Sequence, residues 1–285
     1  MFAHLSASLV DGLLIGFVYG IAAMGLSLIW GVMRVINLAH GATMALGMFC
    51  IYGLFTKLGI NPYLGVPLAA LLALLFGFLI YGVALHRVMQ SGYLYTLLAT
   101  FAVNMIIIGV GTTLFTTSPR NVDFSLGSLQ MGSEILLGTR LVAAVASVVI
   151  TVALYLFLYF TRTGKAIRAV SNNRAAAELM GISSTQVLAL SFGLGTMLAA
   201  VAGGLTATFF PFTILSGGAY QLKSFVICVL GGLGNPLGAL FGGLILGALE
   251  GIVPVFMPVS WVPVVEFGLF VLVLVVRPTG LMGAK

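Results

Sequence analysis

Charge is what this sequence has least of: 6 acidic and 12 basic residues make up 6% of 285, against about 25% in an average globular protein. A mean hydropathy of +1.21 and 61% hydrophobic residues exclude a soluble domain. The net charge of +6 does not point to nucleic acid, because the basic residues are scattered between apolar runs and form no stripe that could track phosphates. Cysteine is nearly absent. Cys50 and Cys228 both fall inside apolar segments, which argues against a disulfide and for small core side chains. No phosphate-binding G-x-x-x-x-G-K-[ST] occurs, since Gly164-Lys165-Ala166 lacks both the first glycine and the hydroxyl. Paired carboxylates, H-E-x-x-H, a nucleophile elbow and clustered metal ligands are missing too. The expectation is therefore no enzyme, no cofactor and no metal site. A cleavable signal peptide is not expected either: the apolar run that begins near Leu9 has no basic residues before it and continues past Gly20.

What the chain has is apolar length. Uncharged intervals of about 20 residues mark membrane spans, and they predict an all-α polytopic membrane protein. It should form a single domain, 1–285, with eight or nine transmembrane segments, some short or broken. Asp11 and Arg34 bracket the first span, in which Gly12, Gly16 and Gly20 repeat every four residues and offer a face for close helix approach. Further spans are expected at 64–85, 95–115, 141–160 and 187–212. Residues 117–138 carry Arg120, Asp123 and Glu134, a balance of minus one that suits the non-cytoplasmic side.

PFTILSGGAYQLK, from Pro211 to Lys223, reads as a turn. The uncharged stretch from Ser224 to Leu249 is interrupted at Gly231-Gly232-Leu233-Gly234-Asn235-Pro236. A single helix there would leave Arg277 and Lys285 outside. A break at Asn235-Pro236 brings these cations inside, as the positive-inside rule prefers. The second piece carries Gly238-Gly242 and Gly243-Gly247-Gly251 spacings, another close-packing face, with Glu250 at its end. A last helix at 261–276 contains Glu266.

Polar residues within these spans are candidates for a translocation path. Asn37 and His40 sit where a lipid-facing helix would not carry them. Two readings are open: a half-helix beside a route through the membrane, or a surface loop before a helix starting near Ala42. His40 has no second ligand nearby, so a metal role is not expected. Asn104, in the middle of its span, is expected to hydrogen bond between helices, or else to line the path. Glu250 is expected at an interface, paired, with a path role as the alternative.

Residues 161–186 are the exception to the scarcity of charge: Arg162, Lys165, Arg168 and Arg174 stand against Glu178. Such a basic loop between spans belongs in the cytoplasm. Asn172 or Asn173 can cap a helix over RAAAELM, and Gly181 can end it. Ser183 and Gln186 match a capping box opening the next span. The loop should present one helical finger.

The run Ala175-Ala176-Ala177-Glu178-Leu179-Met180-Gly181 has the spacing of the EAA loop of ABC-transporter permeases. Together with GLSLIWGVMRVINLAHGATMALG (25–47), NNRAAAELMGI (172–182), LGGLGNPLGALFGGLILG (230–247) and RPTGLMG (277–283), it makes nearly the whole chain resemble the permeases of high-affinity branched-chain amino acid ABC transporters, the LivH type. The resemblance implies an importer of Leu, Ile and Val in a bacterial inner membrane. It also implies a second, related permease, two ATPase subunits and a periplasmic binding protein. Arg168 and Asn173 to Gly181 would couple to the ATPases. Ala175 stands where the general loop has Glu, so no salt bridge is expected from that position. Urea or a short amide is the alternative cargo. An ion-coupled carrier or channel would need a relay at midplane, for which the sequence offers only Glu250 and Glu266.

Overall fold

The computed structural model describes residues 2–89, 91–131 and 134–283. In chain order these form α1 (Phe2–Met33), α2 (His40–Leu58), α3 (Pro62–Ile80, prolonged by a wider turn over Tyr81–Leu85) and α4 (Tyr93–Phe115). A hairpin follows, β1 (Ser128–Met131) and β2 (Glu134–Leu137), with Ser128 opposite Leu137. Then come α5 (Gly138–Phe160), α6 (Arg162–Asn172), α7 (Arg174–Leu179), α8 (Ser184–Thr206), α9 (Gly217–Gly231), α10 (Pro236–Phe256) and α11 (Val262–Val276). Among the described residues nine helices are long and apolar enough to cross a membrane. The all-α polytopic expectation holds, and the hairpin is its small exception.

Two faces follow from the contacts. Asp11 of α1 pairs with Arg140 at the start of α5, while Gly31 near the other end of α1 accepts a hydrogen bond from Ser171 of α6 at 2.7 Å. Thus α1 runs from the hairpin face to the face that carries α6 and α7. The described residues on the second face include Arg34, Arg87, Arg162, Lys165, Arg168, Arg174 and Arg277 against Glu178 alone. The hairpin face balances Lys57, Arg120 and Arg140 against Asp11, Asp123 and Glu134. That asymmetry is the orientation signal expected of a multi-pass membrane protein. The tail after α11 returns to the basic face: Leu281 and Met282 donate their N–H groups to the Leu230 and Gly231 carbonyls. Lys285, expected on the same side, lies outside the described residues.

The helices form two inverted halves. In each, a long buried helix (α1, α8) is followed by a stretch without α-helix and a second helix that starts inside the protein (α2, α9). Two more crossings complete the half (α3 and α4, α10 and α11). The packing mirrors this order, for α1 lies along α10 as α3 lies along α8. Inverted repeats of this kind put broken helices at the bilayer midplane.

Several boundaries differ from expectation. Asp11 lies inside α1, where its pairing with Arg140 satisfies it, and not ahead of the span. Residues Gly217–Lys223 are helical, so the chain turns only as far as Ser216. The break before Asn235-Pro236 is present, with the Asn235 side chain capping the Gly238 N–H at 3.2 Å. However, α10 runs on past Glu250 to Phe256. Ser183 makes no capping bond, and the next hydroxyl, Ser184, donates to Glu178. The basic loop holds two helices where one was expected.

Candidate functional site

The first feature is the junction where α2 begins. Between Arg34 and Ala39 the backbone is non-helical inside the protein, so its polar groups need side-chain partners. They have them. The Thr100 hydroxyl of α4 accepts from the Leu38 N–H and lies 3.2 Å from the Ile36 carbonyl. The Asn37 side chain accepts from the Ala39 N–H at 3.0 Å. Gln221 of α9 works in both directions, accepting from the Gly41 N–H at 2.6 Å and donating to the Asn37 carbonyl at 3.2 Å. His40 lies 2.8 Å by Nε2 from the Ala22 carbonyl of α1. Asn37 and His40 are fully buried, and the Asn37 amide nitrogen and His40 Nδ1 have no partner among the described residues. α2 thus starts inside the protein at His40, two residues before the start near Ala42 that one sequence reading gave.

Here α2 and α9 meet end to end. A Cβ on Gly41 would strike the Gly217 carbonyl, and one on Gly217 would strike that of Gly41. Only glycine at both positions lets two helix N-termini approach this closely.

The second feature is the basic finger. Thr161 caps α6 and Asn173 caps α7, the latter accepting from the Ala176 N–H at 3.0 Å. Gly181, at φ +81°, closes α7: its N–H reaches the Glu178 carbonyl, and that of Ile182 reaches Ala177. Ala177 is buried and seats the finger on the protein. Asn173, Arg174, Ala175, Ala176, Glu178 and Gly181 are exposed, and Leu179 and Met180 are 88% and 83% exposed. Arg168 turns inward: its Nε donates to the Leu158 carbonyl at 3.1 Å and its guanidinium covers Tyr159.

Glu178 ties the finger's end to α8. The Ser184 hydroxyl donates to it, and Arg174 pairs with it at 3.1 Å; in that order the two hold its carboxyl below the ordinary value. A depressed carboxylate stabilises the fold above its unfolded pKa, and the contribution is lost as pH falls through the lowered one. At neutral pH, Glu178→Gln should therefore accelerate amide exchange over 174–184. The difference from the parent should close as acidification protonates the carboxylate; equal exchange at neutral pH would show that the bond does not hold the finger.

A third group was missed by the sequence reading because Lys223 was assigned to a turn. From α9 its ammonium reaches Glu250 of α10 at 2.8 Å and Glu266 of α11 at 3.5 Å. The Tyr19 hydroxyl of α1 donates to Glu250 at 3.4 Å, and the Lys223 ammonium lies 5.0 Å from the Tyr19 ring centre. A lysine between two apolar segments that each carry a lone glutamate was the available signal. Gln221 and Arg140 were also overlooked. Asn104 departs from expectation in another way: its side chain is half-buried and makes no hydrogen bond among the described residues.

Nine apolar helices among the described residues, eight of them in two inverted halves, together with an exposed basic finger, define a multi-pass membrane protein with the architecture of a transport permease. Residues 8–274 match the family described as branched-chain amino acid transport system, permease component, and the chain belongs to that family of transport subunits. It is 30% identical to the high-affinity branched-chain amino acid transport system permease protein LivH of Salmonella typhimurium, over 99% of this chain and 96% of that one. It is also 30% identical to BraD of Pseudomonas aeruginosa, over 98% and 96%. At greater distance, the fructose import permease protein FruG of Bifidobacterium longum is 28% identical over 76% of this chain and 69% of its own. The solved structure of PsaBC from Streptococcus pneumoniae in complex with Fab shares the fold, with a TM-score of 0.51 over 94% of this chain and 91% of that one at 15% identity.

Proposed function

We propose that this chain is the permease subunit of an ATP-driven importer of branched-chain amino acids in a bacterial inner membrane. The observation that carries the reading is the finger, whose two largest apolar side chains, Leu179 and Met180, stand in the open on the basic face. Exposed anchors on a rigid, capped helix are what a groove on a soluble partner requires. In this reading the basic face is cytoplasmic and the partner is an ATPase subunit. Two such subunits, drawing together on ATP, would swing the fingers and rock the inverted halves between outward-open and inward-open states.

A second, related permease would complete the path. In the lipid-spanning layer a bare amide must face protein or water, so the Asn104 face of α4 is assigned to that contact or to the path itself. Glu250 would sit at its margin. Asn37 and His40 would act from within the subunit, holding the broken helix. A zwitterionic Leu, Ile or Val has no net charge and needs few ions along its way. Delivery and selection would fall to a periplasmic binding protein on the hairpin face.

The test is Leu179→Asp together with Met180→Asp. Neither side chain is needed inside the subunit, so the chain should reach the membrane at normal levels. ATPase co-purification and leucine uptake should both be lost. Normal uptake would refute the coupling role.

A further inference from the structure

We infer a binding site for a lipid phosphodiester at the basic face, in a cavity of about 560 Å³ whose charged lining residues, among those described, are Arg34 and Arg168. The end of α1 contributes Arg34, the end of α5 contributes Tyr159, α6 contributes Arg168 and Asn172, and the bend before α10 contributes Asn235. No acid lines it. The acid described on this face, Glu178, is already engaged by Arg174 and Ser184. Among the described residues the cavity's two cations therefore have no anion opposite them.

Both guanidiniums have donors to spare. The guanidinium of Arg34 makes no hydrogen bond or ion pair among the described residues, although its backbone is held at φ +55°, a conformation rare outside glycine. Arg168 spends Nε on the Leu158 carbonyl and its face on Tyr159, 4.2 Å from the ring centre. That fixes the side chain and leaves its two terminal nitrogens unassigned. A fixed fork of free N–H donors beside a second guanidinium suits the oxygens of a phosphate.

The source of the phosphate follows from the rest of the lining. Leu28, Val32, Leu158 and Ile167 line the same cavity and give it an apolar wall. Anionic headgroups of the bilayer meet basic pockets between helices at this depth. A lipid presents phosphate and hydrocarbon together, whereas a soluble phosphate would leave the apolar wall uncovered. The occupant would touch α1, α5, α6 and the bend before α10 at once, tying the base of the finger to the bilayer.

The test is native mass spectrometry of the purified full chain in mild detergent, with phosphatidylglycerol or phosphatidylcholine added in separate titrations. Phosphatidylglycerol should be retained in preference. Arg34→Gln and Arg168→Gln should each lower its retention about tenfold, the equivalent of one charge-assisted hydrogen bond. Arg87→Gln, on the same face outside the cavity, should not. Arg34→Gln removes no described side-chain contact, so its result is not open to an explanation by misfolding. Equal retention of the two lipids, or undiminished retention in Arg34→Gln, would overturn the site. Displacement of phosphatidylglycerol by millimolar inorganic phosphate would overturn the lipid as its source.

Discussion

Replacing Gly16 by leucine is expected to remove most of the folded protein from the membrane. The first added carbon alone would lie 2.8 Å from the Gly243 carbonyl oxygen and 3.1 Å from the Leu244 Cα. Both neighbours are backbone, and α10 answers with glycines of its own: Gly243 lies on Gly20, and Gly247 on Gly12 and Gly16. Overpacking a core costs about 1–3 kcal/mol when side chains can shift. With no side chain to yield, the helices must separate along their length, which puts the cost at the top of that range or above it. Without a hydrophobic drive between helices inside lipid, this close contact is what holds α1 to α10. Membrane yield and thermal midpoint in detergent measure the effect. Gly53→Leu is the control, because a Cβ there meets nothing within 4 Å. A Gly16 variant as stable as the control would refute the interlocked pair.

The second large effect is expected at Lys223. Its ammonium stands between two carboxylates within the spans, and Lys223→Met would leave Glu250 and Glu266 with no cation between them. Removing one partner of a buried ion pair costs about 3–5 kcal/mol, much of it from the charge left behind. This pair, with side chains 21% and 23% exposed, should fall at or below the lower end of that range. The signature lies in the rescue. Lys223→Met combined with Glu250→Gln and Glu266→Gln should recover most of the lost stability, since neutral amides can bond to each other and to Tyr19. If the triple variant is no better than the single one, Lys223 acts through its own packing and the pairing is incidental. Transport in the rescued variant would then separate a structural staple from a role in the path.

How legible this was depended on the distance over which each signal acts. Spans declared themselves, because uncharged length has one physical use in a chain this apolar. The Asn235-Pro236 break was readable from the proline and the charge balance alone. The glycine rows in α1 and α10 were each visible, but nothing in either names the other as its partner. Lys223 was lost for a local reason: Gly217 and Gly218 resemble loop chemistry, and their true purpose, close approach to α2, comes from across the fold. In the same way, Asn37 and His40 announced an irregularity without revealing that Thr100 and Gln221 satisfy it. Ser183 and Gln186 had the spacing of a cap, yet Ser183 makes no capping bond. Asn104 was expected to bind a neighbouring helix; its amide has no hydrogen-bond partner among the described residues, which turns attention to what lies outside this subunit.

The pairing of α1 with α10 also sets a timetable. α1 carries a bare glycine row, and its counterpart is not synthesised until residues 236–251 have left the ribosome. Through most of translation α1 must wait in lipid with its most adhesive face unclaimed. Sequence-distant closure of this sort is slow and leaves incomplete chains exposed to wrong partners. A chain halted just before Pro236 would hold α1 to α9 with the α1 glycine row still uncovered, and the arrival of α10 covers it.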